Sequence, residues 1–182
     1  MYRNCLLTSL FGIILLSCEH VEEAQQLSIN TPDGVVNVSL IKNRTINYLE
    51  CRLHDSLTGR WPLRYPVYKF LKGDINNDGQ EDVAVGVIKR TRRDTVARKR
   101  LFFFALKKNK IIPLWLGSSL GHPLEDFRLV KRDSATLVRS VEHEKNNTYL
   151  VAEYEWFGFG LSFRQYLARE ITLEEAITVM EH

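Results

Sequence analysis

The chain predicts an all-β domain of antiparallel hairpins, finished by one short C-terminal helix. Three observations predict it. Short runs rich in β-branched and aromatic residues recur from about residue 27 to 166, with Gly, Asp, Asn and Pro in the gaps between them. Strands do not alternate with helical patterns, as a parallel α/β sheet would need. The clearest helix signal, a capping box, follows the last strand-like run.

Taken in order, Leu27-Ser28-Ile29-Asn30 and the run 35–40 flank Thr31-Pro32-Asp33-Gly34, which reads as a hairpin around a Pro-Asp-Gly turn. Residues 46–53 fit a strand by alternation, but Ile46, Leu49 and Leu53 also fit a helical face, and periodicity alone leaves both open. Further strands are expected at 68–71, 83–88, 101–106, 111–116, 127–130, 136–141, 149–156 and 161–166. Lys107-Lys108-Asn109-Lys110 is a hairpin tip. The run 101–106 (LFFFAL) is apolar on both faces, so it must be a covered central strand; left exposed it would aggregate. Thr172 and Glu175 form the capping box, with Ile171 and Ala176 as a staple, and a helix from Leu173 to about Met180 is expected to pack through Ile177 and Met180.

A faint repeat runs through the middle of the chain. Residues 68–74 (YKFLKGD) and 83–85 are echoed by 127–133 (FRLVKRD) and 135–138. Each copy would feed four strands, as in two successive propeller blades. Two blades cannot close a ring, so the array is expected to be open, or capped by the N-terminal hairpin.

The 182 residues leave room for one domain, and 45% hydrophobic with 26% charged residues suits a globular protein with a real core. The formal charge of +3 is too small to argue for nucleic acid from the total. The start has a short head with one basic residue, Arg3, then an apolar run over 6–17, too short for the about 20 residues that span a bilayer. Leu15-Leu16-Ser17-Cys18 resembles the lipobox of bacterial lipoproteins, although Leu16 stands where a small residue is usual. That resemblance implies a signal peptide over 1–17, diacylglycerol on Cys18, a polar tether over 18–26 and one domain over 27–182, held at a membrane of the cell envelope. The alternative is an ordinary cleaved leader with an incidental cysteine. Either way Cys51 is left without a partner, so no disulfide is expected, and alternation with Tyr48, Glu50 and Arg52 turns it inward.

The sharpest chemical signal is Asp74-Ile75-Asn76-Asn77-Asp78-Gly79-Gln80-Glu81-Asp82. Alternate residues of a curled loop turn toward one centre, and calcium takes six to eight oxygens. Asp74, Asn76 and Asp78 would give side-chain oxygens, Gln80 a main-chain carbonyl and Asp82 the closing carboxylate, with Gly79 at the sharp turn. An EF-hand is excluded, because Val85 stands where its last glutamate belongs and a strand follows. The stretch 73–86 resembles the FG-GAP or VCBS-type repeat, whose loop joins two strands of a propeller blade and binds calcium; the likeness extends over about 71–159 and brings no activity with it. Only three of the loop's ligands are charged, so a structural calcium ion held weakly, at about 10⁻⁴–10⁻³ M, is expected. The competing reading is an Asx-rich turn that needs no metal.

Other features carry less chemistry. Lys89, Arg90, Arg92, Arg93, Arg98, Lys99 and Arg100 form a basic cluster suited to an anion, against a solvated loop that guards the sticky strand. Gly117-Ser118-Ser119-Leu120-Gly121 matches a nucleophile elbow formally, with His122 and Asp126 near, but Pro123 opposes the helix that must follow. The five histidines are scattered and mark no zinc site. Trp156-Phe157-Gly158-Phe159-Gly160 reads either as a sugar-stacking platform or as a core strand with a bulge. The expectation is a non-catalytic, lipid-anchored envelope module with structural calcium, whose partner is a glycan or an envelope protein and not nucleic acid. The rival is an exported serine hydrolase using Ser119.

Overall fold

The computed structural model describes residues 25–182 apart from 45, 93 and 118. The expected leader, Cys18 and the tether up to residue 24 lie outside the described residues, as does Arg93 of the basic cluster.

Among the described residues twelve strands and one α-helix follow in order: β1 (Gln25–Thr31), β2 (Gly34–Ile41), β3 (Asn47–Leu53), β4 (Ser56–Leu63), β5 (Val67–Gly73), β6 (Asp82–Lys89), β7 (Arg98–Lys107), β8 (Lys110–Trp115), β9 (Leu124–Arg132), β10 (Ala135–His143), β11 (Tyr149–Phe157), β12 (Gly160–Ile171) and α1 (Leu173–Glu181), with one 3-10 turn (Lys145–Asn147) between β10 and β11. They make two antiparallel sheets, one of four strands and one of eight. In pairing terms the chain is three successive meanders, β1–β4, β5–β8 and β9–β12. The second and third join through one pair, Lys99 with Leu124. The two copies of the sequence repeat form β5–β6 and β9–β10, the first hairpins of successive meanders. Among the described residues the strands close no ring or barrel.

The ambiguous segment 46–53 is a strand, because pairing with β2 and β4 satisfies its backbone on both sides. β4 was not expected at all. β1 starts at Gln25, so the last two residues assigned to the tether belong to the sheet. Tight turns take positive φ at His54 and Asp55 between β3 and β4 and at Lys108 and Asn109 between β7 and β8; His, Asp and Asn tolerate that region, and Lys108 does so less readily.

Three cores stack in series. Val36, Val38, Leu40 and Leu49 of the first meander pack on Val83, Val85, Phe102 and Phe104 of the second. Ala84, Leu101 and Phe103, on the opposite face of β6 and β7, pack on Phe127, Val138, Leu150 and Ala152 of the third. The run 101–106 is therefore covered on both faces, as its composition requires. Burying Phe103 and Phe104 fully contributes about 1.5–3 kcal/mol each. Cys51 is free and buried in the first core, where burial outweighs a backbone hydrogen bond from Ile111 and pushes its thiol up to about 11.

The third core lies under α1, where Ala176 and Met180 are buried against Val141 and Val151, with Ile177 at its margin. The capping box is formed: Glu175 N–H donates to the Thr172 hydroxyl, and Thr172 N–H to the Glu175 carboxylate at 2.9 Å. At the other end of α1, Arg139 donates to the carbonyls of Val179 and Met180 at 3.3 and 3.2 Å. A strand arginine thus supplies the positive charge that the last turn lacks. None of the described helices is long and apolar enough to cross a membrane.

Candidate functional site

The loop between β5 and β6 brings together the residues singled out in sequence. Gly73 pairs with Asp82, so the loop is a hairpin end and its two outer acids stand at its base. Asp74 accepts from Asp78 N–H at 3.0 Å and Gly79 N–H at 2.9 Å. Asn76 Oδ1 accepts from Asp78 N–H at 3.1 Å, and Asp78 Oδ1 from Gln80 N–H at 2.9 Å. Gly79 takes φ 86°, which a side chain would resist; Asn77 takes φ 58°, a region asparagine tolerates. The carboxylates of Asp74 and Asp78 are thus held by main-chain donors, as the Asx-turn reading expects. Among the described residues, His, Cys, Asp and Glu side chains form no group of three already gathered about one point.

Asp82 is different. It is 1% exposed, and its Oδ2 accepts from Ile75 N–H at 3.1 Å and Asn76 N–H at 3.4 Å. Its Oδ1 is buried with no hydrogen-bond partner among the described residues. Burial raises its pKa from 3.8 to about 7; the two N–H donors oppose this, and the charges of Asp78 and Asp74 add to it. A buried carboxylate oxygen without a donor, in a loop that also carries two more carboxylates and an amide oxygen, makes a place where a positive charge would be stabilising. Hard oxygen donors of this kind fit calcium and not the nitrogen and sulfur chemistry of zinc.

The loop also bridges the meanders. Gln80, expected to offer its carbonyl, also donates from its side chain to the carbonyl of Asn30 in β1 at 2.7 Å. Lys72 reaches the Ser28 carbonyl at 2.8 Å. On the other side Asn77 Oδ1 accepts from Thr136 N–H of β10 at 2.9 Å.

The basic cluster is divided. Lys89 lies over the rings of Tyr65 and Phe102, both at 4.9 Å, while Arg90 and Arg92 are exposed. Lys99 pairs with Glu125. Arg98 and Arg100 share one oxygen, Asp94 Oδ2, at 2.7 and 3.2 Å. Arg100 is only 6% exposed and also donates to Ser119 Oγ at 3.0 Å, so it is no solvated gatekeeper. These three residues of β7 and the 119–123 segment line a half-open cavity of about 250 Å³.

Ser119 is exposed in the loop between β8 and β9, and the next element is a strand, so the strand–turn–helix context of a nucleophile elbow is missing. The neighbouring His122 spends its main-chain N–H on Glu142 at 2.7 Å. Glu142 escaped the sequence reading. It is fully buried, and accepts from Ser140 Oγ at 2.6 Å and Tyr154 OH at 2.8 Å. Burial, then the Glu142 charge, holds the Tyr154 hydroxyl well above the usual tyrosine range. Apart from Ser140 two residues before it on β10, its donors come from distant segments, the His122 loop and β11, which the sequence does not bring together.

The segment 156–160 is a hairpin tip. Phe157 and Phe159 are 77% and 91% exposed on either side of Gly158. Phe159, with Trp115, Tyr154, Phe163 and Tyr166, lines a second half-open cavity of about 670 Å³ whose wall includes Ser119, Leu120 and Gly121. The same three residues also wall the basic cavity.

No family model matches the chain, and no curated protein or solved structure matches it either.

Proposed function

We propose that the chain is a non-catalytic, lipid-anchored module of the bacterial cell envelope, in which a calcium loop clasps three blade-like meanders. The observation that carries the calcium reading is the buried Oδ1 of Asp82, without a hydrogen-bond partner among the described residues, in the loop that also carries the oxygens of Asp74, Asn76 and Asp78. With the main-chain carbonyl of Gln80 these residues would hold the ion, which supplies the positive charge that the loop lacks. Because Gln80 reaches β1 and Asn77 reaches β10, tightening the loop stabilises contacts of the first and third meanders together. That placement supports a structural ion.

The FG-GAP or VCBS-like character of the module, with blades in an open array, draws support from the repeat, whose copies begin successive meanders. The anchor rests on the lipobox-like residues 15–18. All three cores lie within residues 25–182, so that segment carries the whole described fold and serves for tests of the domain. Calcium titrated into the metal-stripped domain is expected to raise the melting temperature at millimolar concentration, and Asp82→Asn to remove the rise. An unchanged melting temperature would overturn the calcium reading. For the anchor, mass spectrometry of the native protein is expected to find acylated Cys18 at the N-terminus; an intact, unmodified leader would end it.

A further inference from the structure

We infer that the two cavities beside residues 119–121 together bind an amphiphilic anion, an organic carboxylate with an apolar body such as a medium-chain fatty acid. This inference stands apart from the calcium and anchor readings.

The larger cavity is lined by five aromatic rings, two leucines, two glycines and one serine, with no charged or amide side chain. A neutral sugar would bury several hydroxyls there and find few partners, whereas an apolar body loses only contact with water. One face of Tyr166 is taken by the Arg169 guanidinium at 4.7 Å, so the rings are not left free to form a cage about a cation.

The smaller cavity has the opposite character. Two arginines there share the single carboxylate of Asp94, and Lys99 is matched by Glu125, so of the three cations one arginine has no carboxylate to itself among the described residues. Arg100 is nine-tenths buried and fixed by two partners, so its guanidinium is held in place before any ligand arrives. Ser119 Oγ accepts from Arg100 and keeps its own proton to donate. The main-chain N–H groups of Gly121 and His122 are engaged by Tyr154 and Glu142, and Lys99 is held by Glu125, so the anion is met chiefly by Arg98, Arg100 and Ser119. Those two bonds also pin the ridge that separates the cavities. A ligand lying across the ridge places its charge on the arginines and its body among the rings, within the size range of small-molecule sites.

The test uses the 25–182 segment and the fluorescent aryl sulfonate 8-anilinonaphthalene-1-sulfonate, displaced by monomeric decanoate, decanol or decyltrimethylammonium. Decanoate is expected to displace the probe at least about tenfold better than either of the others. Arg98→Gln and Phe163→Ala, both at exposed or half-exposed positions, are each expected to weaken decanoate about tenfold with an unchanged melting temperature. Tyr166→Ser provides a second aromatic variant should Phe163→Ala lower the melting temperature. Equal displacement by decanol, decanoate affinity unaffected by the variants, displacement by cellobiose but not decanoate, or binding only to phosphatidylglycerol vesicles would each overturn the proposal.

Discussion

Asn77 Oδ1 accepts the main-chain N–H of Thr136 at 2.9 Å, so the loop of the second meander is fastened to a strand of the third. Thr136 is 8% exposed, and water cannot readily replace that acceptor. Asn77→Gly keeps the backbone at φ 58° without strain and removes only the side chain. It is expected to lower the unfolding free energy by about 1–3 kcal/mol in urea. Asn77→Ala adds about 1–2 kcal/mol for placing a Cβ in the left-handed region. A fully stable Asn77→Gly protein would show that the contact holds nothing together.

Metal-free stability is expected to depend on pH through Asp82. Its folded pKa is about 7 against an ordinary 3.8, chiefly because it is buried. The folded state therefore holds the proton more tightly than the unfolded one. Stability contributed by this group falls as pH rises from about 4 to about 7 and is level above that. Calcium binds the ionised carboxylate, so the rise in melting temperature on adding calcium should grow across the same window. Melting curves in chelator and in calcium, at half-unit pH steps, check both slopes. Asp82→Asn should flatten each of them, and a metal-free protein that gains stability over this range would contradict the account.

What could be read from sequence was whatever local chemistry decides. The run 101–106 is apolar on both faces and is covered on both. Thr172 and Glu175 make their capping box, Cys51 points inward, and the acids and amides of 74–82 share one loop. β4 was missed because it is an edge strand, largely uncovered, with Gly59 and Pro62 breaking its pattern. Arg100 fitted a solvated basic loop, and nothing in the sequence set Glu142 or Glu153 apart, since a charge is ordinarily solvated; all three are buried. Their partners lie on other strands and loops, as Ser119, Tyr154 and Arg139 show. The ridge at 119–121 meets both the arginines of β7 and the rings around the β11–β12 hairpin only after the chain folds.

Arg139 and Glu153 form a buried pair at 2.9 Å beneath α1. Burial by itself would raise the Glu153 pKa, but hydrogen bonds from Gln165 and Arg139, with the charges of Arg132 and Arg139, outweigh it and hold the group below its ordinary range. A depressed carboxylate stabilises the fold above its unfolded pKa, and the benefit is lost as pH falls through the folded value. Arg139→Met leaves Glu153 with fewer partners, takes the donor from the Val179 carbonyl and leaves that of Met180 only the longer bond from Arg128. It is expected to cost about 3–5 kcal/mol and to loosen α1 first. Hydrogen exchange should show lost protection in 173–181 before the strands. Wild-type protection there would separate the pair from the helix.

Gly86 tests how tightly the second core is filled. A Cβ at this position would lie 2.6 Å from Cζ of Tyr68, whose ring stands edge-on to Phe127 and under the Lys99 ammonium. The ring cannot tilt away without giving up one of those neighbours, so Gly86→Ala is expected to lose about 1–3 kcal/mol. The Tyr68 hydroxyl is itself buried without a partner among the described residues, and Tyr68→Phe removes that penalty, so it should be neutral or slightly stabilising. Replacing Tyr68 with Leu in the Gly86→Ala background opens room for the new methyl, and the two changes should couple favourably by about 0.5–3 kcal/mol. Urea unfolding of the two single variants and the double variant gives that coupling directly. Additive losses would mean that the strain at Gly86 comes from the backbone and not from the ring.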